Sequence, residues 1–467
     1  MKPNEPNPRQ NLLATAPIPK LIGTFALPAI ISQVVNSMHN IVDQTFIGWG
    51  IGDVAIAATN IAFPLASLTT ALACLIGMGS ASGYSIFLGK KDTDSARKNL
   101  GNAVVLSVAL GCLMAVLAVV FLEPMLYLFG ATEAMMVYAK PYALIIALGV
   151  PFGIFSTSMA HLIRSDGSPR FSSAVLLSGA IFNMVFDPIF LFVFHMGIQG
   201  VALATVLGQV LSSGLAVYYL VKKLQMVRLE RGDFRLAPAT IQGIGALGGP
   251  IFFNHIIMTA AQIILMNMLR TYGAQSVYGS EIVIAGAGAM GKVMIVLFSC
   301  IIGLALGCQP IFGFNYGSRN YDRVIQAYKT ALRYGTAVAV FMFLVMQLFP
   351  RQIAGLFGSS DPLFYDFSTH YIRIYLLMTF VNAFQPITSN FFTSIGKAQL
   401  GFWMALIRQG VLLIPMLLIL PRFLGLDGVL WAGPLSDGVA AIVVLSLGFR
   451  EVRRLARRQQ EEEAKRP

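Results

Sequence analysis

The chain has 467 residues, 56% of them hydrophobic and only 12% charged, with a mean hydropathy of +0.71, where ordinary soluble proteins carry about 25% charge. That imbalance argues for a membrane protein, excludes a disordered chain, and leaves little room for a soluble domain. The long unbroken apolar runs exclude an outer-membrane barrel, whose strands alternate over about ten residues. A net charge of +12 would suggest nucleic acid in a soluble protein. Here the cations flank apolar runs, so no nucleic-acid partner is expected.

In chain order, a polar, Pro-rich segment comes first (residues 1–17). It lacks the short apolar core and small-residue cleavage site of a secretory signal, so the first apolar helix is expected to be retained. A spanning helix needs roughly 20 apolar residues, and the runs predict helices near 18–45, 54–88, 95–121, 133–163, 170–194 and 199–222. A polar stretch, 223–238, follows. Six more helices are predicted near 239–271, 277–314, 322–349, 361–394, 400–420 and 428–449, ahead of a basic tail, 450–467. The expected fold is therefore an all-α polytopic membrane protein with twelve transmembrane helices. Lys20, Lys90, Lys91, Arg97, Arg164, Lys222, Arg228, Arg323, Lys397 and the tail fall on one side of this layout, against Lys140, Arg270, Arg351 and Arg422 on the other. The positive-inside rule puts both termini in the cytoplasm. Cys74, Cys112, Cys300 and Cys308 all fall in apolar helices with no close-set pair, which reads as packing rather than metal or redox chemistry.

The chain repeats itself. An offset of 228 places Gly79 on Gly307, Gly89 on Gly317, Asp94 on Asp322, Gly197 on Gly425, Gly200 on Gly428 and Ala204 on Ala432. Pro28 and Pro250 correspond at 222, and Gly167 and Gly396 at 229. Two six-helix lobes, 18–222 and 239–449, are expected, joined by 223–238. With an even number of helices each, both enter the membrane from the same side, so the relating axis runs along its normal. Two lobes around a cleft suit alternating access better than a channel or an enzyme.

Polar residues at membrane depth then stand out. In the first helix Gln33, Asn36, Asn40 and Asp43 share a face, with His39 one turn before Asp43. A charged Asp costs about 2.5 to 3.5 kcal/mol at a helix centre; the plainer alternative leaves Asp43 in water at the outer helix end. In the fifth helix Asn183 and Asp187 are four apart, and Pro188 cannot donate to the Met184 carbonyl. Carboxylate, amide and freed carbonyl are hard oxygen ligands suited to a proton or sodium ion, and Thr205 could add a hydroxyl; the alternative is a structural kink. At the repeat offsets Leu265 replaces Asp43 and Met416 replaces Asp187, so the acid pair belongs to one lobe. The second half carries Lys292, Arg373, Arg408 and Asp437, read either as an internal ion pair or as a cationic lining for anionic cargo. The GxGxxG run Gly286–Gly291 lies inside continuous apolar sequence with no acid after it. Close helix packing explains it better than a dinucleotide site. The 21 Met and 33 Phe could line a cleft that repacks around varied aromatic cations.

The stretch Pro28–Gly48 (PAIISQVVNSMHNIVDQTFIG), the Asn183-x-x-x-Asp187-Pro188 element, the run Gly197-x-x-Gly200-Val-Ala-x-Ala-Thr205 and the duplication together resemble the multidrug and toxic compound extrusion (MATE) family, its MepA-like bacterial branch above all. The resemblance implies a non-enzymatic antiporter in the bacterial inner membrane that exports organic cations in exchange for H+ or Na+. It implies no cofactor beyond that ion and no metal beyond Na+ at Asp43 and Asp187. Its coupling positions match Asp43, Asn183, Asp187 and Thr205, with Tyr142 nearby. The seventh helix, with Asn254, His255, Thr259 and Gln262, and the tenth, with Asn382 and Gln385, lack the acid that another branch carries. Partners would be small organic cations and membrane lipids, and the protein a monomer. His39 beside Asp43 leans toward protons. The alternative function is a flippase for lipid-linked or anionic lipid substrates.

Overall fold

The structure, a computed structural model, describes residues 8–129, 133–357 and 361–464; the first seven residues of the expected amino-terminal tail and the last three of the carboxy-terminal one lie outside it. The described residues are almost wholly helical. The first six long helices are α1 (Ile18–Gly50), α2 (Asp53–Gly89), α3 (Thr93–Val120), α4 (Glu133–Ser165), α5 (Pro169–Pro188, continued by a widened turn over Ile189–Val193) and α6 (Gly197–Lys222). Then come α7 (Pro238–Gly273), α8 (Gly279–Gly317) and α9 (Tyr321–Leu348). Next, α10 consists of two pieces, Pro362–Tyr375 and Phe384–Ser394, followed by α11 (Ala398–Leu406, widened over Ile407–Leu413) and α12 (Leu426–Ala464). Among the described residues, eleven helical segments are long and apolar enough to cross a membrane.

Two expected extents change. The continuous helix predicted over 361–394 is interrupted between Tyr375 and Phe384. Pro386 has no N–H to offer the carbonyl of Asn382, so a helix can only restart with this proline in its first turn. The last helix does not stop near 449 but continues through the arginines to Ala464, where Arg319 pairs with Glu462 at 3.0 Å, the Tyr321 amide donates to Gln459 at 3.0 Å, and Lys397 pairs with Glu451. The amino-terminal segment contains a short helix, Pro8–Thr15; the carbonyls of Leu13 and Ala16 accept from Arg323 at 3.1 and 2.7 Å.

The duplication is written into the backbone. Left-handed residues recur at repeat-related positions: Lys91 (φ 61°) and Arg319 (58°), Gly167 (81°) and Gly396 (82°), Gly197 (60°) and Gly425 (59°). Each pair sits at the same helix boundary in its half, where the chain must reverse. Packing between the halves is symmetric as well. α1 lies along α8, and α2 along α7. Both crossings depend on missing side chains: a Cβ on Gly79 would stand 2.5 Å from the Ile244 carbonyl, and one on its repeat mate Gly307 would stand 2.8 Å from the Ala26 Cβ. Gly89 and Gly317, themselves repeat mates, face one another, each within about 3 Å of where the other's Cβ would be. Across the same seam Gln309 donates to the Ser82 hydroxyl at 2.9 Å and the Met78 carbonyl at 3.1 Å.

The polar connection between halves is held against the first. Asp166, buried at the α4–α5 turn, accepts from Tyr84 (2.6 Å), Tyr219 (2.7 Å) and the amides of Gln225 (2.7 Å) and Met226 (3.0 Å). Asn102 of α3 donates to the carbonyls of Asp233 and Arg235 and accepts from the Ala237 amide. Arg97 bonds Glu230 at 2.5 Å.

Candidate functional site

Between the halves lies a cavity of about 630 Å³, lined from α1, α2, α4, α5 and α6 on one side and α7, α8, α10 and α11 on the other. Toward its far end from the glycine seam, the polar face of α1 meets α5 and α6. Asn183 donates through Nδ2 to Asp187 Oδ1 and to the Thr205 hydroxyl, both at 2.9 Å. The Thr205 hydroxyl in turn donates to the Val201 carbonyl at 3.1 Å. The carboxyl of Asp43 on α1 lies beside that of Asp187 on α5. Two neighbouring carboxyl groups away from water repel one another unless a positive charge sits with them. Asp43 Oδ1, Asp187 Oδ2 and Asn183 Oδ1 are buried with no partner, as is His39 Nδ1. Unpaired buried oxygens are rare in proteins because each forfeits its hydration. Three such oxygens on neighbouring residues of α1 and α5 make this end of the cavity attractive to a positive charge.

Each sequence-selected residue can now be placed. Asn183, Asp187 and Thr205 form one hydrogen-bonded cluster with Asp43 beside it, and the Asp187 carboxyl and the Asn183 amide lie on one side of α5 as their spacing requires. Tyr142 stands beside both acids on the cavity wall. Gln33, Asn36, His39 and Asn40 line the same cavity along α1, with Asn40 turned back to donate to the Asn36 carbonyl at 2.8 Å. Beyond Pro188 the helix widens for five residues, so the proline does disturb the backbone next to Asp187.

In the second half, Arg408 lines the cavity but donates to Asp437 at 2.7 Å, the internal ion pair anticipated from the sequence. Lys292 and Arg373 are exposed and are not among the residues lining the cavity. Asn254, His255 and Gln385 line it without adding an acid. Among the lining residues that sequence reasoning missed, three carry unpartnered buried polar atoms on α4 and α6. Gln209 on α6 carries an unpartnered buried Oε1, and His161 and Arg164 stand on α4 at the seam end. A Gln inside an apolar run would have flagged the first; Arg164 reads as an ordinary cation at a helix end.

An almost wholly helical, internally duplicated chain with a central cavity and a buried acid pair has the build of a membrane transporter. The family profile described as MatE matches residues 28–189 and 250–419, and the chain belongs to that family. It is 24% identical over 425 residues to the multidrug export protein MepA of Staphylococcus haemolyticus (strain JCSC1435), covering 91% of this chain and 92% of that one. To MepA of Staphylococcus aureus (strain MRSA252) it is 23% identical over 434 residues, 93% and 94% of the two chains. Among solved structures, the outward-facing conformation of a multidrug resistance MATE family transporter of the MOP superfamily superposes with a TM-score of 0.90 at 24% identity, over 97% of this chain and 99% of that one. A MATE protein in its bent conformation gives 0.89 at 23% identity, over 98% and 100%. The expected MepA-like MATE fold is thereby borne out.

Proposed function

We propose that this MATE-family transporter is a secondary antiporter that exports small organic cations in exchange for H+ or Na+, with Asp43, Asn183, Asp187 and Thr205 as the coupling site and Tyr142 and the α1 polar face beside it. The observation that carries the reading is the nearness of two carboxyl groups, Asp43 on the cavity wall and Asp187 buried just behind it. An ion binding there neutralises the charge that holds a cationic cargo, and cargo leaves outward. Release of the ion inward restores the acidic cavity. Each inward elementary charge supplies about 2.3 kcal/mol per 100 mV. The halves, 18–222 and 239–449, rock about the cavity as two bodies. The protein works as a monomer in the bacterial inner membrane with both termini cytoplasmic, where the basic segments lie. The flippase alternative is weakened by the Arg408–Asp437 pair, which removes one of the cations on which it relied.

The test is efflux of ethidium or a quaternary ammonium dye from proteoliposomes under an imposed pH gradient or an imposed sodium gradient, one at a time. One gradient drives wild-type transport. Asp43→Asn and Asp187→Asn lower it at least tenfold while eluting as folded monomers. Folded variants that pump at the original rate would remove the mechanism.

A further inference from the structure

The opposite end of the cavity carries a charge that the coupling mechanism does not use. Arg164, in the last turn of α4, is only 2% exposed, lines the cavity, and leaves Nε and Nη1 buried without a hydrogen-bond partner. His161, one turn earlier on the same face, is 7% exposed, lines the same wall, and has an unpartnered Nδ1. An arginine cannot shed its proton to escape burial, and a buried guanidinium with no counter-charge is costly.

Among the described residues no carboxylate is paired with Arg164. Asp166, two positions on, is already held by two tyrosine hydroxyls and two backbone amides. The other guanidinium lining the cavity, that of Arg408, is neutralised by Asp437. Of the two, Arg164 alone faces the cavity uncompensated.

We propose that the seam end of the cavity is an oxyanion subsite in which Arg164, with His161 beside it, receives a carboxylate. Met78 and Leu176 line the same end, so an apolar body suits the remainder of the ligand. The subsite is separate from the acid pair: Tyr142 and Arg164 are 22 positions apart on α4, about 33 Å at the helical rise. One small molecule does not bridge that distance. The cavity is therefore bipolar, acidic at one end and cationic at the other. The carboxylate has two sources, a free organic anion from solution or an acidic group on a cargo molecule. The second source rests on the export reading above; the first does not.

Calorimetric titration of the detergent-solubilised full chain with sodium benzoate at constant ionic strength tests the subsite. Wild type binds one benzoate; Arg164→Met abolishes binding and Arg164→Lys weakens it at least fivefold. Asp43→Asn retains it, which keeps this result independent of the coupling mechanism. Absence of binding to wild type overturns the proposal whatever the variants do. Undiminished binding to folded Arg164→Met, or to Arg164→Lys should the methionine variant not fold, also overturns it. Efflux of an aromatic ammonium compound bearing a free carboxylate, compared with its methyl ester, then identifies the source. A cargo subsite gives the acid a KM at least fivefold below that of the ester in wild type, a preference erased in Arg164→Met. A free-anion subsite gives equal KM values with benzoate binding intact. Failure of both compounds to move would count against the export reading and leave the benzoate result standing.

Discussion

Arg408 Nε donates to Asp437 Oδ1 across 2.7 Å, from α11 to α12, with side chains 19% and 8% exposed. The pair neutralises the cation that the second half presents to the cavity. Removing one member leaves the other charged in a dry setting, so Asp437→Asn is expected to destabilise the protein by about 3 kcal/mol or more. The double variant Arg408→Met, Asp437→Leu recovers most of that loss, because an apolar pair of similar volume avoids desolvation. Apparent melting temperatures of the three purified variants check this; a double variant as unstable as the single one refutes it.

The bond from Asn183 to Thr205 predicts a graded series in the coupling cluster. Thr205→Ser keeps the hydroxyl and transports near the wild-type rate. Thr205→Val removes the acceptor for one Asn183 hydrogen and lowers the rate roughly three- to tenfold, the effect of one hydrogen bond. Asn183→Leu strips the donor from both Asp187 and Thr205 and falls lower still. Initial rates in proteoliposomes decide the order, and a Thr205→Val protein as fast as Thr205→Ser contradicts it.

A pH dependence follows from Asp92, the cap of α3. Its Oδ1 accepts from the Ser95 amide at 3.0 Å, and the hydrogen bonds of the Ser95 hydroxyl and amide hold the carboxyl below its ordinary range. A depressed folded-state value means that the capping contribution is complete above the unfolded value, about 3.9, and fades as pH falls through the lower folded one. Asp92→Ala is expected to cost about 1 kcal/mol at pH 7. The gap between wild type and variant stays constant from pH 8 to pH 5 and closes below about pH 4. Thermal unfolding followed by tryptophan fluorescence across that range measures it; a gap that widens in acid refutes the assignment.

The glycine seam predicts a conformational effect. A methyl on Gly79 meets the Ile244 carbonyl, which is backbone and cannot swing aside. Gly79→Ala should therefore part α2 from α7 and expose the buried hydroxyl position of Ser82. In a Ser82→Cys background free of the native cysteines, a water-soluble maleimide labels the Gly79→Ala protein at least tenfold faster than its parent. Equal labelling would show that the seam absorbs the methyl.

Much of the polar cluster around Asp43 and Asp187 was legible because polar residues are conspicuous inside apolar runs, and four-residue spacing alone puts Asn183 and Asp187 on one side of a helix. The duplication was legible for a related reason: glycines forced by chain reversals recur at the same offset, and the left-handed torsions at Gly167 and Gly396 show why substitution there is strained. The break in α10 was not, since a hydrophobic run reads the same whether its hydrogen bonds are continuous or interrupted. The isolation of Arg164 was hidden too. Whether a cation has a partner depends on what distant segments bring near it, and here the adjacent Asp166 turns away to two tyrosines. The pairing of Gly79 with α7 likewise exists only once the halves are assembled.

Fastened by Asp166, Asn102 and Arg97, the segment between Lys222 and Pro238 has no slack. It is fixed to the first half, and α7 follows it directly at Pro238. The proline ring immobilises φ on its side, so in the rocking proposed above the turn between the halves would fall on the ψ angles of Ala237 and Pro238. A reporter group placed at Arg228 would track the first half alone, and the proposed swing of the second would leave its signal unchanged.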